Sequence, residues 1–476
     1  MTEPQSCIGP ILIVDTVQSD RLHLAALFIS PNECTPPDII ASGQNFAAHQ
    51  IARYPQGAVY RIRFSVPATE ASSYHWNGEI FELTSALSSD LSLAYVSCNG
   101  EEHGDMDRED GERNVMWAHL RDTHQNTPFS LMLHGGDQIY ADEVTLGHSL
   151  SESWPEDIPN SPTAASLEDL RQHLRAGFFE RYASLYRAPD FAWLAARIPS
   201  LMQWDDHDIC DGWGSLPTEA TQSSIGQTLF AAAKEARLVF QDATVETDLP
   251  ARFYDPSGRS LGWSIEFDQL RLIAPDLRGT RTRETVMCAE EWNVLERITK
   301  TPSPGRSFLL SSVPILGPRL SLLERLMIAM PRMQKYEDDL RDQWQSRAHR
   351  PAWQRILKLV FDMAEPHNQH VTCVSGEIHL ATRAMISSQK GQVLHQLVAS
   401  GITHRAPPRL WARMLGALST LGETPLPGHP IRFAPLPGQS HRYTAERNYL
   451  ILRRTDQSWQ AIWELETSGT TPPLTL

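Results

Sequence analysis

The stretch Phe129-Ser-Leu-Met-Leu-His134-Gly-Gly-Asp137-Gln-Ile-Tyr140-Ala-Asp142-Glu143 decides how the chain is read. A short apolar run that stops at a glycine pair is the pattern of a buried strand, because period-2 alternation disappears once both faces of a strand are covered. Past the glycines, residues 137–143 are largely polar and acidic. Three other buried-strand candidates end the same way: Leu91-Ser-Leu-Ala-Tyr-Val-Ser97 runs into Cys98-Asn99-Gly100, Pro199-Ser-Leu-Met-Gln-Trp204 into Asp205-Asp206-His207-Asp208-Ile-Cys210-Asp211, and a late strand ends Val374-Ser-Gly-Glu377-Ile-His379.

Between these strands lie amphipathic stretches near 112–125, 166–187 and 224–243 that read as helices. The β-α-β succession predicts an α/β fold with a largely parallel or mixed sheet covered by helices. Further strands are expected at 261–267, 270–275, 307–313, 370–375, 380–387 and 393–399, and two more close the chain at 447–453 and 459–465. Before residue 90 the pattern is different. Short alternating runs punctuated by Pro, Asn and Gly predict a small N-terminal β-sandwich domain over 1–89, with 90–476, closing strands included, as a second domain. The Pro-rich stretch 405–439 reads as a surface excursion.

Composition narrows the function classes. The 476 residues are 41% hydrophobic and carry 42 Lys+Arg against 57 Asp+Glu, a formal charge of −15. Such a balance repels a polyanion, so bulk nucleic-acid binding is not expected. The six cysteines are scattered without a CxxC pair, which does not resemble a disulfide scaffold. The N-terminal residues show no basic and apolar leader and no twin arginine, and no apolar run approaches the ~20 residues of a membrane span. A cytoplasmic location is the expectation; the oligomeric state is left open.

In open α/β sheets, ligands gather outside the carboxyl ends of strands, so the four polar clusters are expected to meet at one edge. Carboxylates, histidines, a thiol and a phenol brought together there repel and desolvate one another, and a pair of bound cations supplies the missing counter-charge. Mixed O, N and S donors suit iron or zinc at one position and calcium, magnesium or manganese at the other, and two such ions form a clamp for in-line displacement at phosphorus.

Cys98 after a strand, Gly136-Asp137-Gln-Ile-Tyr140, Asp205-Asp206-His207-Asp208 and Gly376-Glu377-Ile-His379, in this order, resemble the PhoD-type alkaline phosphatase family of the metallophosphoesterase superfamily. Ile273-Ala-Pro-Asp276-Leu-Arg278 and Asp342-Gln-Trp344-Gln-Ser-Arg347 add to the likeness, which spans roughly residues 90–465. The resemblance implies a four-layer α/β/β/α sandwich behind an N-terminal β-sandwich. It also implies hydrolysis of small phosphomonoesters or phosphodiesters by a metal-bound hydroxide, on a binuclear centre of Fe3+ with Ca2+. Carried over position by position, it makes Cys98 and Tyr140 iron ligands, Asp137 the bridge, Asp206 and His379 metal ligands, His207 the proton donor and Arg278 a phosphate clamp. Asp205 and Glu377 stand as further metal ligands, although the family commonly has Asp where Glu377 stands.

Plainer readings exist for single residues. Cys98 read alone is a small buried hydrophobe, Tyr140 a packing aromatic, and Asp276 with Arg278 an ordinary ion pair. Asp208 and Asp211 are expected to orient ligands, His134, His103 and His404 to be structural, with a place at the pocket as the alternative for His404 because it follows the strand end at Ser400-Gly401, and Leu320 to Met330 to pack on the core or form a lid. Trp344 is expected at a pocket wall. Two other functions remain open: hydrolysis of a different ester on the same metals, and a noncatalytic metal-binding or scaffold protein.

Overall fold

The computed structural model describes residues 7–31, 34–88, 90–302, 305–318, 342–364, 370–376, 378–455 and 458–476; Glu377 and the stretch from Leu320 to Met330 fall outside them. The fold is mixed α/β with several sheets. Eight strands come first: β1 (Ile8–Gln18), β2 (Arg21–Ser30), β3 (Ile39–Ala41), β4 (Gln44–Phe46), β5 (His49–Tyr54), β6 (Gly57–Pro67), β7 (Ser72–Trp76) and β8 (Glu79–Leu83). Then come β9 (Leu91–Val96), β10 (Leu131–Gly135) and β11 (Ser200–Gln203), which are buried throughout. They pair in parallel, with Leu131 opposite Leu93 and Met132 opposite Ser200.

A second sheet uses β12 (Trp263–Phe267), β13 (Leu270–Ala274), β14 (Arg306–Leu310), β15 (His370–Ser375), β16 (Ala381–Ser387), β17 (Val393–Val398), β18 (Glu423–Leu426) and β19 (His429–Ala434), with β20 (Tyr443–Thr444) paired to β16. The chain then returns to the first sheet. There β21 (Asn448–Thr455) pairs antiparallel with β9, β22 (Ser458–Leu465) pairs with β21, and β23 (Gly469–Thr470) and β24 (Leu474–Thr475) finish it.

Alternation along the second sheet shows what covers each face. Leu272, Phe308, Leu310 and Val374 join the core of the first sheet, while Ile273, Leu309 and Cys373 join a core built with Trp292, Trp353 and Leu357 of the helices Ala289–Lys300 and Arg350–Ala364. The sheets touch face to face: the Phe308 and Trp459 rings lie 4.9 Å apart, Trp463 Nε1 donates to Val398 O at 2.9 Å, and Trp263 Nε1 to Met202 O at 2.8 Å. The helices Ala164–Arg187 and Pro189–Ala195 lie against β1.

Two expectations need correction. The strands of 1–89 do not form a unit apart. β1 pairs in parallel with β11 (Ile13 opposite Ser200), and β2, β6 and β5 extend the same sheet. Only β3, β4, β7 and β8 form their own small sheet, packed on that extension through Phe64 against Tyr74 at 5.3 Å and Phe28 against Trp76 at 5.0 Å. Alternation tells which side of a strand is buried but not which distant strand it pairs with. The Pro-rich stretch is likewise not a bare excursion, since it holds the helix Arg409–Leu418 and strands β18 and β19. Pro425 sits in β18, an edge strand, where a missing N–H costs no ladder bond. Among the described residues no helix is long and apolar enough to cross a membrane.

Candidate metal centre

The ends of β9 and β10 are tied together beyond the strands: Cys98 N donates to Gly136 O at 3.2 Å and Asn99 N to Asp137 O at 2.8 Å. Both Cys98 and Asp137 adopt positive φ (56° and 53°), which turns their side chains out of the strand line. The glycine before Asp137 is demanded by space. Gly136 has φ 114°, and a Cβ there would lie 2.6 Å from the Cβ of Asp205.

Asp208 joins this edge to the end of β11. Its carboxylate accepts from Asp137 N (2.9 Å), Gln138 N (3.0 Å), Asp205 N (2.9 Å) and Gln241 Nε2 (2.9 Å). One buried carboxylate thus positions both acidic clusters, the orienting role expected of it.

Asp137, Asp205 and Asp206 each place a carboxylate oxygen within 4.8 Å of the others. Asp137 Oδ1 and Asp205 Oδ2 are buried with no hydrogen-bond partner among the described residues. Burial and the neighbouring Asp205 push the Asp137 carboxyl far above its ordinary range; burial pushes Asp205 up to about 6 against the opposing pull of Arg278. Orphaned, mutually repelling buried carboxylates are the arrangement a cation resolves. Cys98 Sγ lies 3.4 Å from Asp137 Oδ2 and 3.1 Å from Ser400 Oγ, so a soft donor borders the hard ones.

A second donor group adjoins. Glu102, His379 and His404 also place ligand atoms within 4.8 Å of one another. Tyr140 Oη lies 2.9 Å from His379 Nε2, the His379 ring stacks on His404 at 3.4 Å, and Tyr140 stacks on His207 at 4.2 Å. Burial and His404 hold His379 well below the usual histidine range, which keeps it in the neutral form that binds metals. His207 is the opposite case. Burial disfavours its charge, but Asp142, Asp206 and Asp137 outweigh it and hold the imidazole protonated well above its ordinary range. Its Nδ1 lies 3.1 Å from each oxygen of Asp142.

Arg278 is not where a phosphate clamp was expected. It is fully buried and its guanidinium is consumed: Nε donates to Asp205, Nη1 to Trp213 O (3.0 Å), and Nη1 and Nη2 to the two oxygens of Asp342 (2.6 Å each), with Asp206 3.4 Å from Nη2. The fork that suits phosphate suits carboxylates as well, and the fold delivers three of them. Asp276 is also structural, accepting from Trp204 Nε1, Leu261 N, Arg278 N and Gly279 N. Trp344 is buried against Trp292 rather than lining the site.

Of the expected residues, the structure therefore brings Cys98, Asp137, Tyr140, Asp205, Asp206, His207 and His379 to one edge; Glu377 lies outside the described residues. The residues not foreseen in the site are Asp142, Glu102, Ser400 and Asp342, while His404 takes the pocket position that was the alternative to a structural role. Asp142 stands in the stretch that ends β10, so its position relative to a strand end was the available signal.

Behind the site, Glu291 accepts from Asp276 N at 3.2 Å and pairs with Ser260, and burial pushes its carboxyl up to about 8. A folded value above the unfolded ~4.3 means the neutral form stabilises the fold, an advantage complete below ~4.3 and lost as pH rises through 8. Urea unfolding of the wild type is expected to show stability declining over that window, while Glu291→Gln shows a shallower decline; parallel pH profiles for the two would refute this.

The solved structure titled "Structure of PhoD" aligns with 98% of this chain and 88% of its own, at TM-score 0.58 and 13% identity, a likeness of fold. The structure titled "GAP50 the anchor in the inner membrane complex of Plasmodium" aligns at TM-score 0.41 and 8% identity, over 82% of this chain and 90% of its own. An uncharacterized protein of Saccharomyces cerevisiae is 23% identical over 388 residues, 64% of this chain and 55% of the yeast protein, so the chain spans about half the length of the curated relative it matches. Residues 81–337, more than half of the chain, match the family described as PhoD related phosphatase. The chain belongs to that family.

Proposed function

We propose that this protein is a metal-dependent phosphoester hydrolase with a binuclear site formed by the four strand ends. The observation that carries the reading is the pair of unpartnered buried oxygens, Asp137 Oδ1 and Asp205 Oδ2, beside a thiol, a phenol and a neutral imidazole. Cys98, Asp137, Tyr140 and His379 form the softer donor set, suited to Fe3+; Asp137, Asp205 and Asp206 form the harder one, suited to Ca2+, with Zn2+, Mn2+ or Mg2+ as alternatives. Glu377 is assigned to the same centre on its motif. The two facing sheets and their flanking helices constitute, in this reading, the α/β/β/α catalytic body, with β1, β2, β6 and β5 continuing its first sheet.

When bound, the cations supply counter-charge to phosphoryl oxygens and lower the pKa of water. The chain's own residues do the rest. Arg278 fixes Asp205 and Asp206 as ligands, and Asp208 fixes the two loops. Asp142 grips His207 at Nδ1 and leaves Nε2 to give its proton to the leaving oxygen, a contribution of typically ~10²–10⁴-fold. His207→Ala is therefore expected to keep its metal content and lose turnover by about that factor; loss of metal in this variant would reassign His207 to ligation.

The test of the whole reading is elemental analysis of natively purified protein with turnover of bis-p-nitrophenyl phosphate and p-nitrophenyl phosphate before and after chelation. Metal present and turnover abolished by chelator is the expected result. Absence of both metal and turnover would leave the noncatalytic scaffold instead.

A further inference from the structure

The helix Arg409–Leu418 leaves an apolar face in solvent. Ala412 is buried with Leu380 and Tyr443, and Leu415 packs on the same cluster, so one side of the helix is anchored. On the other side Leu410 is 69% exposed, Met414 53% and Trp411 38%, with Leu421 in the next turn at 62%. At about 100° per residue Leu410, Trp411 and Met414 share one side of the helix, and Leu421 lies in the 3-10 turn that follows it. Scattered exposed apolar residues are ordinary, but a contiguous stripe marks an interaction surface.

Charge points to the partner. Residues 403–445 hold five arginines (Arg405, Arg409, Arg413, Arg432 and Arg442) and one carboxylate, Glu423, in a chain whose net charge is −15. Arg405 is paired with Glu101 and Glu112, and Arg442 donates to Gly416 O. Arg409 and Arg413 are exposed and have no carboxylate partner among the described residues. An apolar stripe of Trp, Leu and Met beside free guanidinium groups has the chemistry of an interfacial helix: the stripe enters the boundary between headgroups and acyl chains, and the arginines reach up to lipid phosphates.

We propose that this helix is a peripheral docking surface for membranes rich in anionic phospholipid. The proposal needs no catalysis and stands apart from the hydrolase reading.

The test is co-sedimentation of the full chain with phosphatidylcholine vesicles containing about 30% phosphatidylserine, against phosphatidylcholine alone. Binding to the anionic vesicles is expected, weakening with salt. It should weaken by about tenfold or more in Leu410→Ser with Met414→Ser and in Arg409→Glu with Arg413→Glu, with thermal unfolding unchanged. Equal binding to both vesicles, no binding, or full binding by both double variants overturns it. So does a concentration-dependent dimer that Leu410→Ser abolishes, since a second copy would then cover the face.

Discussion

Asp137→Asn is expected to lose bound metal and phosphoesterase activity together. The residue stands where both donor sets meet: its Oδ1 is buried without a partner, its Oδ2 lies 3.4 Å from the Cys98 thiol, and Asp205 and Asp206 reach the same space. The amide is nearly isosteric, so its backbone bond to Asp208 survives and the fold is kept. The substitution removes one negative charge and a strong donor oxygen from the cluster proposed to hold the cations. Because the proposed catalysis depends on those cations throughout, activity should fall to background, a loss of order 10⁶-fold or more for an ordinary enzyme. Metal analysis and single-turnover assays check this, and near-normal metal content with near-normal turnover would remove the proposed centre. Thermal unfolding should move the other way when metal is absent, since Asn removes a carboxyl whose ionisation burial first, and Asp205 second, disfavour.

Arg278→Leu is expected to cost about 3–5 kcal/mol of stability, the usual consequence of removing one partner from a buried charge network. Asp205, Asp206 and Asp342 would then lose the one guanidinium that each of them contacts, with Arg281 still on Asp342. Urea unfolding separates this outcome from the clamp expectation. A phosphate clamp would raise KM and leave unfolding unchanged, whereas the structural role lowers the unfolding midpoint before substrate is added. Arg278→Lys tests the geometry within the charge, because an ammonium cannot grip Asp342 at both oxygens while holding Asp205.

Much of the candidate site was legible because its signal is local. Cys98, Asp137, Asp205 and His379 each follow an apolar run, and a buried strand that stops at polar residues displays them at the sheet edge. Asp142 was not legible as the partner of His207, although both lie in polar clusters at strand ends, because nothing in either segment states that they meet across 65 residues. Arg278 reads equally as a phosphate clamp or as half of an ion pair for a related reason. A guanidinium recognises carboxylate and phosphate through the same fork, and only the positions of Asp205 and Asp342, 73 and 64 residues away, decide which one it holds.

The same division runs through the fold. Sequence alone placed strands at 91–97, 129–134 and 199–204, close to the observed 91–96, 131–135 and 200–203, led to the expectation that their polar ends meet, and gave the resemblance to the family to which the chain belongs, because burial on both faces and turn residues are written in consecutive positions. Tertiary structure alone decided that β1, β2, β5 and β6 extend the first sheet rather than close a domain of their own, and that Arg278 serves the carboxylates. Strand pairing and buried ion pairing are set by hydrogen-bond edges and charges that come together from far apart in the chain, and no local pattern encodes which edge or charge will be the neighbour.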